Sequence, residues 1–420
     1  MMLRTLSTTS AALVLIAAPL VAQTRATVPA DVPRVKTALA AIKATNAWTL
    51  EQQVSICEIP APPFKEAQRA EEFRKRLVAL GLKNVRIDAE GNVIGERPGV
   101  GKGPTVVISG HLDTVFPEGT DVVVKKEGAV FKGPGIGDDC RGLAVLLSVA
   151  KALNEADVRT DGTILFVGTV GEEGPGNLRG VRHLFATELK GKVDYFISVD
   201  GTGLGITSAA VGSHRYRVAY KGPGGHSYGA FGMPNPIHAM GRAIAKIGDF
   251  QVPAQPRTTF SVSVVSGGTS VNSIPYEGIM EVDMRSESAA SLNELDARFQ
   301  AAVQQALVEE NARWPQSRVR LTVQVDTTGI RPAGAQPDTV HIVRVAKAAG
   351  LKLGFDARTN ASSTDSNIPM SLGIPAITID GGGRGRGSHS LSESYEDGED
   401  GFLGPQWAAL IVSTLAGARK

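Results

Sequence analysis

The chain has 420 residues, with 44 basic and 42 acidic side chains and a formal net charge of +2. That length exceeds one ordinary domain and suits two, with enough apolar content for a sizeable core. The near-neutral balance speaks against a nucleic-acid footprint or a polybasic membrane patch, while sparse aromatics and 48 glycines favour an α/β protein with many tight strand-to-loop turns.

Arg4 gives a short positive region, Ala11–Ala18 is an apolar run too short to span a bilayer comfortably, and Ala22 is a small residue at a cleavage position. Residues 1–22 therefore read as a signal peptide, with export to the periplasm or the medium. No other apolar run is long enough to span a membrane. Residues 23–45 form a polar lead-in containing Ala, Val and Pro. A helix is predicted over 50–57, then a Pro-rich break over 59–63. Ala67, Ala70, Phe73, Leu77 and Leu80 recur at three- and four-residue steps, which places them on one face of a helix over 66–80; Gly81 stops it.

Residues 105–109, 163–167, 195–199 and 376–379 are short, apolar and β-branched, and read as buried strands, with a helix over 143–156 between the first two. This alternation argues for a largely parallel sheet covered on both faces. The middle of the chain changes rhythm: strand 215–220, helix 236–247, strands 258–265 and 278–285, helix 291–309, strand 318–325. The order β-α-β-β-α-β is the ferredoxin-like split unit. It is read as a second domain, 213–328, inserted into a first domain made of 23–212 and 329–420.

The polar residues fall where such a sheet would use them. His111 and Asp113 follow the first buried strand, Glu172 and Glu173 the second, Asp200 the third, and His389 lies in the Gly-rich loop after the fourth. Ligands of open α/β sheets bind outside the carboxyl ends of the strands. Two histidines with several carboxylates make a mixed nitrogen–oxygen donor set suited to Zn²⁺, with Co²⁺ or Mn²⁺ as alternatives. Two neighbouring metals need a shared ligand, and Asp138, among the glycines of Gly135-Ile136-Gly137-Asp138-Asp139, is the candidate bridge. Asp113 is placed to accept the other ring N–H of His111. Glu172 is left as the general base. Taken singly, each motif also reads as an ordinary turn, cap or surface residue; their joint placement carries the metal reading.

Together, His111-Leu112-Asp113-Thr114-Val115, Gly133 to Asp139, Gly171-Glu172-Glu173-Gly174, Val199-Asp200 and Gly387-Ser388-His389 resemble the co-catalytic metallopeptidase family of carboxypeptidase G, peptidase T, carnosinase and aminoacylase-type deacylases, over nearly all of the mature chain. The resemblance implies one metal on His111 and Asp200, the other on Glu173 and His389, with Asp138 bridging, Asp113 orienting His111 and Glu172 as catalytic acid/base. It also implies an inserted lid that often dimerises. In that lid His226 (Gly222 to Ser227) resembles an oxyanion-stabilising histidine, sometimes supplied across a dimer. Asn272 (Gly267 to Asn272) resembles a substrate-binding Asn, and Arg285 (Val282 to Arg285) an Arg that clamps a substrate carboxylate. Plainer readings are a histidine bonding within its Gly-rich turn, a turn asparagine and a solvated strand arginine.

Two departures from the family pattern stand out. Cys140-Arg141 follows the Asp pair where many relatives carry Lys, and Asp200 stands where some have Glu, which leans toward aminopeptidase or dipeptidase types. The family places the Cys57 segment on the active-site side, so a Cys57–Cys140 disulfide beside Asp138 is expected in an oxidising compartment. The functional expectation is an exported two-metal peptidase of short peptides, leaning aminopeptidase- or tripeptidase-like. The alternatives are an amidohydrolase of N-acyl or N-carbamoyl amino acids, or a carboxypeptidase, on the same site. A non-catalytic binding protein fits worst, because Glu172 and all five ligands are present.

Overall fold

The computed structural model describes residues 26–420; the expected signal peptide, residues 1–22, lies outside them. The lead-in is more ordered than its composition suggested. Pro33 occupies the first turn of a helix, Pro33–Ala44, where its missing N–H costs nothing, and Val35, Ala38, Leu39 and Ile42 are buried along one face. That face packs on the helices Cys140–Glu155 and Leu403–Leu415.

A nine-stranded mixed sheet forms the main layer. At its centre Ile164–Thr169, Val106–His111, Tyr195–Val199 and Ala376–Ile379 lie side by side and parallel. Antiparallel strands extend both edges, Val93–Arg97 on one side and Ile206–Ala210 on the other. The central strands are buried on both faces almost throughout, as continuous apolar runs in a parallel sheet require. Helix Cys140–Glu155 is nearly all buried between the sheet and the outer helices. Because the four strands are parallel, His111, the segment after Thr169, Asp200 and Asp380 emerge on one edge.

Residues Gly212–Arg331 carry a second, antiparallel sheet in the order Thr258–Gly267, Glu277–Ser286, Gly212–Lys221, Thr322–Arg331. Strand Glu277–Ser286 alternates as expected: Met280, Val282 and Met284 are buried in a core formed with Phe299, Val303 and Ala243 from the two helices Pro236–Gly248 and Ala289–Arg313. The predicted ferredoxin-like order is therefore present. Its last strand runs to Arg331, six residues past the predicted end.

A small sheet pairs Ser394–Glu396 with both Arg384–Arg386 and Val130–Lys132. It brings the His389 turn beside the loop that carries Asp138. Among the described residues no helix is long and apolar enough to cross a membrane.

The expected Cys57–Cys140 disulfide is absent: both are free, buried thiols. The Cys57 Sγ lies 3.5 Å from the Pro134 carbonyl oxygen, so the segment does reach the Asp138 loop. It is pinned without a covalent bond. Arg69, fully buried, donates to the carbonyls of Cys57, Ile59 and Leu112, and the two thiols lie side by side, hydrogen-bonded to each other. Burial pushes the Cys57 thiol well above its ordinary pKa.

Candidate active site

His111 is the last residue of its strand, and its backbone N–H donates to Asp139 Oδ2 at 2.9 Å. Its Nε2 lies 2.9 Å from Asp138 Oδ1 and 4.0 Å from Asp200 Oδ1. On the other side, His389 Nε2 lies 3.1 Å from both Asp138 Oδ2 and Glu173 Oε1. Two donor groups result, His111/Asp138/Asp200 and Asp138/Glu173/His389, each with its donor atoms within 4.8 Å of one another. Asp138 belongs to both, one oxygen facing each histidine. A third grouping, His111/Glu172/Glu173, overlaps them.

The electrostatics fit two cations. Burial, then the repulsion of Asp138, pushes Asp200 up to about 7. Hydrogen bonds to Asp138 and Glu173 push His389 up to about 10. Crowded carboxylates that repel one another, with imidazole nitrogens turned toward them, are relieved by divalent ions shared through Asp138. The residues present therefore fit a pair of such ions.

The surrounding bonds show how the site is held. The Asp113 carboxylate is mainly a clamp on the Glu172–Glu173 turn, accepting both backbone N–H groups at 3.0 and 2.8 Å. The His111 ring Nδ1 lies 3.0 Å from the Asp113 carbonyl oxygen and 3.6 Å from its carboxylate. Arg331, buried, donates to Glu172 Oε1 at 3.1 Å and also to the Glu172 carbonyl. Burial raises the pKa of Glu172 well above the usual carboxylate value, against the pull of Arg331. Glu393, also buried, accepts the backbone N–H groups of Gly135, Gly137 and Asp138 at 2.9, 2.8 and 3.1 Å. Gly135 adopts φ 81°, so the loop can turn its amides to that carboxylate. Arg141, which stands where many relatives carry Lys, is fully buried and donates to the carbonyls of Gly381 and Gly401. Its place is in the scaffold behind the site.

A cleft of about 880 Å³ opens over these groups, lined by Asp138, Glu172, Glu173, Asp200 and His389 from the sheet edge and by Arg215 and Arg285 from the inserted sheet. Arg215 and Arg285 both bond Asp283, at 2.8 and 2.7 Å. Of the three lid residues singled out in the sequence, only Arg285 reaches the cleft. His226 and Asn272 are exposed and adjacent to each other, at a two-stranded pair of Gly225–His226 with Ser273–Ile274. There the His226 Nδ1 accepts the backbone N–H groups of Tyr228 and Gly229.

Arg331, Glu393, Arg215 and Asp283 were not found from the sequence. Arg215 had a signal: on an alternating strand it faces away from buried Tyr216 and Val218. Arg331 lies beyond the predicted strand end, and Glu393 sits in a Ser-rich turn without periodicity.

The profile of Peptidase family M20/M25/M40 matches residues 107–403. The chain is 25% identical over 350 residues to the uncharacterised protein YqjE of Bacillus subtilis, covering 79% of this chain and 89% of that one. It is 29% identical over 366 residues to carboxypeptidase G2 of a Pseudomonas species, covering 83% and 84%. Among solved structures, aminopeptidase PepT from Bacillus cereus superposes with a TM-score of 0.71 at 22% identity, covering 88% of this chain and 98% of that one.

Proposed function

This chain belongs to peptidase family M20/M25/M40, and we propose that it cleaves N-acyl amino acids or C-terminal peptide bonds by taking hold of the free carboxylate near the scissile bond. Two-metal hydrolysis of peptide or amide bonds in short peptides or N-acyl amino acids is the activity within which this choice falls. The observation that carries it is the placing of Arg215 and Arg285 in the same cleft as the metal-ligand groups. A guanidinium fork matches a carboxylate in two parallel hydrogen bonds. Carboxypeptidase G2, matched over most of both chains, points the same way. The aminopeptidase lean drawn from Asp200 has less behind it, since the likeness to aminopeptidase PepT at 22% identity speaks to fold alone.

His111, Asp138 and Asp200 would hold one metal, and Asp138, Glu173 and His389 the other. When bound, the metals supply Lewis-acid activation of the scissile carbonyl and of water. Glu172 takes the proton of the attacking water and returns it to the leaving amine. Asp113 and Arg331 fix the turn that carries it. His226 and Asn272 are exposed, and a second copy of the chain would bring them over the cleft, with His226 donating to the oxyanion. Export rests on the N-terminal sequence.

A substrate panel tests the reading: N-acyl amino acids, their C-terminal amides, and free and end-blocked di- and tripeptides. Amidating the terminal carboxylate should remove most turnover. Turnover that requires a free amine and survives amidation would instead make the enzyme an aminopeptidase.

A further inference from the structure

Asp380 is a cleft carboxylate that neither metal binding nor the acid/base step uses. It follows the Ala376–Ile379 strand, on the same sheet edge as Asp200, and joins none of the metal-ligand groups. Its Oδ2 accepts the Gly205 backbone N–H at 2.7 Å. The loop beneath is shaped for it: a Cβ at Gly203 or Gly205 would stand 2.8 or 3.0 Å from that oxygen. One oxygen is thus fixed by the backbone, and the side chain lines the cleft.

The other oxygen, Oδ1, has no hydrogen-bond partner and is not sealed from solvent, and no Lys, Arg or His pairs with the group among the described residues. Burial raises Asp380 to about 6, which leaves it ionised at neutral pH. A half-buried anion without a counter-ion is unfavourable unless something cationic arrives. Beside it in the cleft lie Thr207 and Asn360, with the Thr207 hydroxyl donating to Asn360 Oδ1 at 2.7 Å. That amide oxygen keeps a second lone pair, so the corner offers acceptors to a group with several N–H donors. A carboxylate needed only to cap the Gly205 N–H would not have to leave its second oxygen unpaired in a residue that lines the cleft.

We propose that Asp380 receives a protonated amino group of the substrate, so that the preferred substrate carries an ammonium in addition to the carboxylate taken by Arg215 and Arg285. The sheet wall and the inserted wall then read opposite charges on one small molecule. This rests on the reading of the cleft as the substrate site of an amide hydrolase.

The test compares kcat/KM of the metal-loaded full chain on acetyl-norleucine, glycyl-norleucine and acetyl-lysine. The first has no ammonium, the second has one on the acyl half and the third on the side chain. At least one ammonium-bearing substrate should exceed acetyl-norleucine by roughly 10- to 100-fold, the worth of a charge-assisted hydrogen bond. Asp380→Asn, which keeps the shape and the bond from Gly205, should collapse that ratio toward one, and Asp380→Ser should do the same. Cleavage of acetyl-norleucine with no ammonium preference in the wild type overturns the assignment, whatever the variants do. A wild-type preference that survives in a folded Asp380 variant also overturns it. Cleavage of none of the three removes the carboxylate-side reading beneath it.

Discussion

The sheet wall of the cleft and the wall contributed by the inserted domain hold their polar groups differently. On the sheet side the His111, Glu172 and Glu173 side chains are only 2%, 6% and 7% exposed, His389 on its loop being the exception at 55%. Buried carboxylates hold the backbone that carries them, Asp139 on His111 and Asp113 on the Glu172–Glu173 turn, and Glu393 does the same for the Asp138 loop. On the inserted side, Arg215 and Arg285 are 24% and 42% exposed and are tied to Asp283 alone among acidic partners. Bond-breaking needs donor atoms held to a fraction of an ångström, and rigid strand ends supply that. Recognition of a variable substrate end tolerates longer, adjustable side chains on a separate layer. Asp380 is the intermediate case, seated by backbone on the sheet wall but open to ligand.

If the sheet wall is the chemical one, its variants should cost turnover and its supports should cost metal. Glu172→Gln should lower kcat by roughly 10²–10⁴-fold while the purified variant keeps its metals by elemental analysis; wild-type rates would remove Glu172 from the chemistry. Glu393→Ala frees three backbone amides behind Asp138 and should weaken metal retention about 10–100-fold, read by competition with a chelator. On the other wall the effects should be smaller and confined to substrate binding. Arg285→Met should cost about tenfold in kcat/KM for carboxylate substrates, mostly through KM, and leave metal content alone.

Asp283→Asn should have the smallest effect and a defined pH dependence. Burial alone would raise the pKa of Asp283, but hydrogen bonds from Arg285 and Arg215 outweigh it and hold the group below the usual carboxylate value. A depressed carboxylate pKa stabilises the fold above the ordinary value and loses that contribution as the pH falls through the folded value. The pair is partly solvated, so the difference at neutral pH should be about 0.5 kcal/mol. It should begin to shrink as the pH falls below about 4 and be gone only below the lower, folded-state value, by denaturant unfolding. A penalty that persisted in acid would mean the ion pairs are not its source.

Much of the sheet wall was legible because apolar periodicity marks strands, and the residue just past a buried parallel strand is positioned by the sheet. His111, Glu173 and Asp200 follow from that rule. Asp138 and His389 were read less directly, as a carboxylate in a Gly-rich turn and a histidine in a Gly-rich loop, and their meeting was not legible, since their loops come together through small strand pairs such as Ser394–Glu396 with Val130–Lys132, too short to announce themselves. The inserted unit was legible as an order of elements. The reach of its side chains was not: Arg285 arrives at the cleft and His226 does not, a matter of how two sheets are set against each other rather than of local pattern. The disulfide expectation erred for a related reason. Proximity of Cys57 to the Asp138 loop was readable, but the fully buried Arg69 that already secures the segment looked like an ordinary polar position on an amphipathic helix.

The most direct test of the shared-carboxylate site is titration of Zn²⁺ into metal-free protein while following hydrolysis of an N-acyl amino acid. Activity should be absent at the start and reach its plateau at two ions per chain, and Asp138→Asn should bind neither tightly. Full activity in the metal-free protein, or a plateau at one ion with Asp138→Asn unaffected, would contradict the account.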